Sequence, residues 1–334
     1  MLKKNLNYLL IITLLLVISP IFCHGQNSAV SDFVNLSITP ANPAPGDQVT
    51  ISASSYSLDL NRTKITWFVN GAEKETGMGL KDYYVQAGVA GKTMSVGALI
   101  VADDGTIIKK DVSFIPAGVD LLFEAISYTP PFYKGKTLNP SQGTVVVVAF
   151  PEVFDQNGKK FKTGDLVFDW KKDGLVQSAA SGPGKNYFTF SGSIPAREAE
   201  VEVTASSIDK KITASSVINI QNISPKIIFY EDSPVYGMMF NKAIKSTVKM
   251  VADEFKVKAF PYFMSVSYAQ SPDLTYNWNI NGQLSENLDE DKSAMIFRQD
   301  NPGAGSANIN LKIQNTSRIF QFIDNSFVLN FQKQ

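Results

Sequence analysis

Three short stretches decide the fold of this chain: Trp67-Phe68-Val69-Asn70-Gly71, Trp170-Lys171-Lys172-Asp173-Gly174 and Trp278-Asn279-Ile280-Asn281-Gly282. Each one reads Trp-x-x-[Asn/Asp]-Gly, and the sequence contains no Trp outside them. Successive copies begin 103 and 108 residues apart. A repeat of that period predicts one β-sandwich per copy, with the Trp buried on a central strand.

The residues that lead into each Trp alternate between apolar and polar types, as they do in a strand with one buried face. The apolar positions are Ile65, Trp67 and Val69, then Leu166, Phe168 and Trp170, and finally Leu274, Tyr276, Trp278 and Ile280. The following Asn-Gly or Asp-Gly pair tolerates the positive φ angles of a tight hairpin turn. We therefore predict that the three Trp side chains are core anchors. A ligand platform is the alternative for each indole.

Composition indicates a globular protein. The chain has 334 residues, of which 44% are hydrophobic and 19% are charged, and its formal net charge is zero. This length predicts two or three domains, and the apolar content argues against a disordered chain. Lys and Arg are scattered, with no run longer than two, so a nucleic-acid partner is not expected.

The first 25 residues are typical of a signal peptide. Lys3 and Lys4 give a basic start, residues 9–17 form an apolar run, and small residues precede Gln26 at the expected cleavage site. The apolar run is shorter than the roughly 20 residues that a membrane span needs. We expect a chain that is secreted or held in the cell envelope. An uncleaved N-terminal membrane anchor is the alternative, and it is the only membrane attachment that the sequence suggests.

The single Cys and the single His, Cys23 and His24, lie inside this predicted signal peptide. A mature chain without them has no disulfide, no Ser-His-Asp triad, no Cys nucleophile and no zinc site built on His or Cys. We therefore expect no catalytic residues, no metal and no cofactor.

Three other kinds of site stay open. A Ser-x-x-Lys spacing occurs at Ser207 and Lys210, and again at Ser246 and Lys249. Carboxylates such as Asp169 would suit a hydrolase that uses paired acids. Oxygen-rich loops at 103–104 and 286–291 offer ligands for calcium. Solvated turns and strand surfaces explain all of these residues as well.

Proline and glycine punctuate the chain at the boundaries of the copies. We predict sandwich domains over 32–118, 119–222 and 223–334, with boundaries at Pro116-Ala117-Gly118 and Ser224-Pro225. The tripeptide Ala149-Phe150-Pro151 recurs as Ala259-Phe260-Pro261, which aligns the second copy with the third. The segment 242–253 is the best helical candidate, although its β-branched residues also suit a strand.

Most of residues 32–334 resemble the tandem immunoglobulin-like modules of bacterial cell-surface proteins, of the PKD-like and bacterial Ig-like kinds. The resemblance rests on the Pro/Gly-rich entries, the alternating strands and the Trp-x-x-[Asn/Asp]-Gly motifs. The resemblance implies an all-β chain of three tandem Ig-like sandwiches after the signal segment. It also implies a role as a spacer or adhesive module, and it carries over no catalytic residues.

Two aromatic clusters flank prolines at related places in the second and third copies. Phe132 and Tyr133 follow Pro131, and Tyr262 and Phe263 follow Pro261. Exposed aromatic rings anchor protein partners or stack on sugars, so we predict a contact surface at these four residues. Packing between domains is the alternative.

These observations favour a non-catalytic, secreted or envelope-associated structural or adhesive module. Its partner is expected to be another envelope protein or a polysaccharide. A carbohydrate-binding accessory protein and a carboxylate-dependent hydrolase are the alternatives.

Export yields the first testable prediction. The mature N-terminus is expected at Gln26, because small residues precede it after the apolar run, and the mature protein is expected to contain no thiol. Intact mass spectrometry of the exported protein, with and without a thiol-alkylating reagent, measures both. Retention of residues 1–25 would instead support the anchored alternative.

Overall fold

The computed structural model describes residues 34–194, 197–286, 290–299 and 303–331. The predicted signal peptide, with Cys23 and His24, lies outside these residues. Within them the chain is built of β-strands, with two short 3-10 turns at Leu60–Arg62 and Thr163–Asp165. The chain divides into two compact units. The described part of the first comprises residues 34–41, 48–86 and 94–114, and the second comprises 42–47, 87–93 and the described residues from 115 onward.

The first unit is a sandwich of two antiparallel sheets. Its strands are β1 (Val34–Thr39), β2 (Gln48–Ser55), β3 (Lys64–Val69), β4 (Ala72–Met78), β5 (Asp82–Gln86), β6 (Met94–Val101) and β7 (Ile107–Phe114). The strand orders are β1-β2-β5 and β4-β3-β6-β7. Trp67 lies on β3 and stacks on Tyr83 of the opposite sheet, with ring centroids 5.6 Å apart. We call this the first sandwich.

The second unit begins with the strands that surround Trp170. They are β8 (Gly118–Ile126), β9 (Asn139–Pro140), β10 (Thr144–Glu152), β11 (Leu166–Lys172), β12 (Leu175–Val176), β13 (Gly182–Pro183), β14 (Tyr187–Ser191), β15 (Ala199–Ser207), β16 (Thr213–Ile220) and β17 (Asn222–Ile223). One sheet has the order β14-β10-β8. The other has the order β12-β11-β15-β16, with β13 also paired to β11. These two sheets form the second sandwich, and β9 pairs with β17 in parallel beside them.

The strands around Trp278 complete the second unit. They are β18 (Lys226–Ser233), β19 (Gly237–Ile244), β20 (Thr247–Met250), β21 (Glu254–Tyr262), β22 (Leu274–Ile280), β23 (Gln283–Leu284), β24 (Ala294–Arg298), β25 (Gly305–Asn315) and β26 (Phe322–Phe331). Their sheets have the orders β19-β18-β21-β24 and β20-β26-β25-β22-β23, and they form the third sandwich. The all-β class of tandem Ig-like sandwiches is thus confirmed.

Each Trp side chain is buried in the core of its sandwich, with at most 1% of its surface exposed. The second unit contains two separate cores, one around Trp170 and one around Trp278. Tyr128, together with Phe132, Tyr133 and Leu138, packs against the Trp278 core although these residues precede β10 in the chain. The boundary between 119–222 and 223–334 therefore stays a prediction, because one segment of the former packs with the latter.

The indole N–H makes the same hydrogen bond in all three sandwiches. It donates to the backbone carbonyl of Leu80 at 2.8 Å in the first, of Lys185 at 2.9 Å in the second and of Lys292 at 3.2 Å in the third. Each acceptor lies where the chain leaves the Trp-bearing sheet and crosses to the opposite sheet. The buried indole thus satisfies its polar atom and ties the crossover segment to the core.

The Asn or Asp of the motif does more than supply a turn. Asn70, Asp173 and Asn281 have φ angles of 50°, 51° and 53°, and the following glycines also have positive φ. In each case the side-chain Oδ1 accepts a backbone N–H from the strand beside the Trp strand. The donors are Ser95 at 3.0 Å, Glu200 at 3.1 Å and Asn308 at 2.8 Å. This second role explains why the residue is Asn or Asp in every copy.

The segment 242–253 contains no helix. It holds the end of β19 and all of β20, which pairs in parallel with β26 from Thr247 to Met250. Its β-branched residues favour a strand, and pairing with β26 stabilises the strand over the predicted helix.

Truncation of a buried Trp is expected to destabilise its sandwich strongly. Trp170→Ala removes a fully buried indole and leaves the Lys185 carbonyl without its donor, so the free energy of unfolding should fall by about 3–5 kcal/mol. Urea denaturation followed by circular dichroism measures this loss. Tyr187→Ala, which removes an exposed ring of the same sandwich, should change the free energy by less than about 0.5 kcal/mol. Equal losses in the two variants would contradict the core assignment.

Candidate functional site

The outer faces of the three Trp-bearing sheets differ in chemistry. Because the Trp side chains point into the cores, their sequence neighbours point outward. On the second sandwich two pairs of these outward side chains contact one another. Lys171 Nζ lies 3.1 Å from Glu202 Oε1, and Thr204 and Ser215 share a hydrogen bond of 2.9 Å between their hydroxyls. These two pairs occupy much of the face, and Asp169 of the same face stays exposed.

The first sandwich carries a small concavity of about 230 Å³ on the same face. Phe68, Gly97 and Asp111 lie in one cross-strand row of this face. The Asp111 carboxylate lies over Gly97, where a side chain would displace it. The glycine therefore gives the row its depth, and an acidic side chain fills part of it.

The third sandwich carries the larger concavity, of about 560 Å³. We call its lining the amide face and define it by Asn277 and Asn279 on β22, Asn310 and Lys312 on β25, and Phe322 and Asp324 on β26. Cross-strand pairing places Asn277, Lys312 and Asp324 in one row and Asn279 with Asn310 in the next. The exposed Leu284 of β23 closes one end. The face therefore crosses four strands, a width of about 14 Å at the usual strand spacing.

Within the described part of the chain, the polar side chains of the amide face make one weak hydrogen bond and one long cation–π contact. The Asn279 amide donates weakly to the Asn277 carbonyl at 3.5 Å. Lys312 Nζ lies over the Phe322 ring, 5.9 Å from its centroid, at the outer limit of a cation–π contact. The Phe322 side chain is 56% exposed although it sits on a strand. One cation, one carboxylate, three amides and one aromatic ring thus face solvent together.

The inward apolar positions, on which the predicted cores rest, give no indication of this face. A signal was present. Asn277 and Asn279 alternate along β22, and Asn308 and Asn310 alternate along β25. Asn is depleted in strands, so its repeated use on one face of central strands is unusual.

The structure corrects the contact surface predicted at the two aromatic clusters. Phe132 packs on Phe240 with centroids 4.1 Å apart. Tyr133 packs edge-on against Tyr262 at 5.9 Å and against Phe263 at 5.7 Å. Tyr262 and Phe263 are buried, with 6% of each exposed. These rings pack between the second sandwich and the third within one unit, so packing between domains accounts for them.

Backbone pairing and burial reinforce this aromatic junction. The N–H of Tyr128 donates to Met264 O, and the N–H of Phe263 donates to Tyr128 O, both at 2.7 Å. Burial raises the pKa of the Tyr262 phenol well above its usual range, and a hydrogen bond with Tyr230 contributes a smaller part of that rise. The phenol therefore stays neutral at physiological pH.

A buried amide forms a second contact between these two sandwiches. Gln321 is fully buried, and its Nε2 donates to Ser141 O at 2.6 Å and to Ser265 Oγ at 2.8 Å. Its Oε1 accepts from Ser265 N at 2.9 Å and from Asn315 Nδ2 at 3.4 Å. All the hydrogen-bonding positions of the amide are used, as burial requires.

The loop before Gln321 extends this contact. The Arg318 guanidinium donates to Gln142 O and to Thr144 Oγ1, and the Phe320 N–H donates to Gln142 Oε1 at 3.0 Å. Gln142 has a φ of 58°, which turns its side chain and carbonyl toward this loop. We call the contacts of Gln321 and Arg318 the polar clasp.

Three of the candidate catalytic and calcium-binding residues make contacts in turns or ion pairs, and a fourth lies on a strand surface. The Ser207 hydroxyl donates to Asp209 Oδ1 at 2.6 Å within a turn. Asp169 lies exposed on the outer face of β11. The backbone N–H of Thr106 donates to Asp104 Oδ1 at 2.9 Å within another turn, and this hydrogen bond holds the pKa of the Asp104 carboxyl below its usual range. Asp291 pairs with Lys258 at 2.7 Å.

The described residues contain no cluster of three or more His, Cys, Asp or Glu that could hold a metal ion. Asp289, one of the acidic loop residues, lies outside them. Among the described residues there is also no helix long and apolar enough to cross a membrane.

Comparison with known proteins finds similarity at the level of structure only. No protein-family model matches the sequence, and no curated protein sequence matches it significantly. The fibronectin(III)-like modules of Clostridium thermocellum CbhA are 14% identical, with a TM-score of 0.27 over 56% of this chain and 94% of that one. The central fibronectin-III array of RIM-binding protein is 11% identical, with a TM-score of 0.30 over 85% and 93%.

A third solved structure is the Bacteroides ovatus mixed-linkage glucan utilization locus protein SGBP-B, in complex with a mixed-linkage heptasaccharide. It is 12% identical, with a TM-score of 0.20 over 87% of this chain and 65% of that one. Similarities this low carry no argument about what the chain binds.

Removal of the Gln321 amide is expected to loosen the junction. Gln321→Ala leaves the Ser141 carbonyl and the Ser265 N–H without their partner, which costs about 1–3 kcal/mol for each buried group. Hydrogen exchange should accelerate at residues 141–144 and 263–266 and stay unchanged along β11. Gln156→Ala, in an exposed turn, serves as the control and should alter neither region. Unchanged exchange in Gln321→Ala would show that the aromatic packing alone holds the junction.

Proposed function

We propose that this protein is a non-catalytic structural or adhesive module of the cell envelope or the extracellular space. It is exported by its N-terminal segment and built as three sandwich domains over 32–118, 119–222 and 223–334. The observation that carries the proposal is the threefold repetition of one Trp-centred core, in which the same two hydrogen bonds recur. The conspicuous shared residues of the motif are thereby explained by folding.

The surfaces support a binding role over a catalytic one. The inner faces of the sheets are alike, whereas the outer faces of the Trp-bearing sheets differ from one sandwich to the next. Of the candidate carboxylates, Asp104 lies in a turn, Asp169 lies on a strand surface and Asp291 forms an ion pair with Lys258. The working partner under this proposal is an envelope protein or a polysaccharide, without nucleic acid.

Co-sedimentation tests the proposal. The mature chain should sediment with purified envelopes of its own cells and stay in solution without them, and fractionation should recover it from the envelope or the medium. Substrates of common glycosidases, esterases and peptidases should not be turned over. Recovery in the cytoplasm, or turnover that one Asp or Glu substitution abolishes, would contradict it.

A further inference from the structure

We propose that the amide face of the third sandwich binds a neutral oligosaccharide. This inference rests on the proposed adhesive function and names the ligand class and the site. Its residues are those that line the concavity of about 560 Å³ across β22, β25 and β26, closed at one end by β23.

The first reason is that folding does not explain these residues. Asn and Asp are disfavoured in strands, yet the rows of this sheet place Asn277, Asn279, Asn310 and Asp324 together on one face. Where residues with low strand preference occupy a strand without improving its packing, a functional role is expected. The matching face of the second sandwich shows the ordinary solution, in which Lys171 pairs with Glu202.

The second reason is the match in hydrogen-bonding chemistry. Each Asn side chain offers a donor NH₂ and an acceptor carbonyl a short distance apart. A sugar hydroxyl is likewise both donor and acceptor, so neighbouring hydroxyls of one ring can pair with a single amide. Asn279 and Asn310 are directly opposite on adjacent strands, which presents two such amides side by side in the floor of the concavity.

The third reason is the balance of charge. Lys312 and Asp324 are cross-strand partners, so the face carries one positive and one negative group. An anionic ligand would be repelled by Asp324, and a cationic ligand by Lys312. A neutral ligand that carries many hydroxyl groups instead finds a charged donor in Lys312 and a charged acceptor in Asp324.

The fourth reason is the position of Phe322. Its exposed ring stands at the side of the concavity and is the aromatic component of the amide face. The C–H groups of a pyranose ring carry partial positive charge and pack on the negative face of an aromatic ring. The combination of one such wall with a polar floor is unlike a protein-binding patch, whose centre is apolar and poor in charge.

Affinity electrophoresis of the mature chain tests the inference. Native gels would contain galactomannan, xyloglucan or hydroxyethyl cellulose as neutral polysaccharides, with polygalacturonate as an anionic one. We expect at least one neutral polymer to retard the chain. Phe322→Ala and the double variant Asn279→Ala/Asn310→Ala should each weaken that retardation about tenfold or more.

Tyr187→Ala is the matched control, because it removes a similarly exposed strand aromatic from the second sandwich. It should bind as the unaltered chain does, and circular dichroism should show that all variants fold. Retardation by polygalacturonate alone, by none of the neutral polymers, or unchanged in both amide-face variants would overturn the inference. If the sugar-binding inference fails in this way but the chain still sediments with envelopes, the proposed adhesive function stands. If the chain also no longer sediments with envelopes, the proposed function fails as well.

Discussion

The structure depends on one type of hydrogen bond, which a buried indole N–H donates to a backbone carbonyl once in each sandwich. The carbonyls belong to Leu80, Lys185 and Lys292, and each lies where the chain passes from one sheet of a sandwich to the other. In a core without disulfides, this bond fixes where the crossover sits against the most buried side chain. The indole supplies the apolar contact area, and its N–H supplies direction, which apolar contact lacks.

In each Trp-bearing sheet the inner face forms the core and the outer face meets solvent. The outer side chains can therefore differ between sandwiches while the core stays the same. The inner positions of the Trp strands are apolar in every sandwich, and the turn and ladder contacts of the motif Asn or Asp are the same. The outer positions differ: a Gly97–Asp111 row in the first sandwich, an ion pair in the second and the amide face in the third. Since outer side chains contribute little to the core, such changes cost little stability.

Local patterns in the sequence were sufficient to predict the Trp strands and their turns, because alternation and Asn-Gly pairs act within a few residues. Contacts at a distance were not accessible. The Asn308 N–H donates to Asn281 Oδ1 across 27 residues of sequence, and nothing local indicates this hydrogen bond. The clusters at Phe132 and Tyr262 were each recognisable as aromatic, but only the fold shows that they cover each other. The amide face escaped prediction for a different reason, since its signal lies in outward positions that ordinarily face solvent.

The tight turns also bear on how the protein ages. Asn-Gly is the dipeptide in which a side-chain amide is lost most readily, and Asn70-Gly71 and Asn281-Gly282 occur in exposed turns. The second sandwich already has Asp173 at the equivalent place, where its carboxylate oxygen accepts the Glu200 N–H. Simple conversion of either Asn to Asp therefore preserves the acceptor that the ladder needs. Rearrangement to isoaspartate would instead lengthen the backbone at a residue with positive φ, and it would disrupt the turn that leads out of the Trp strand.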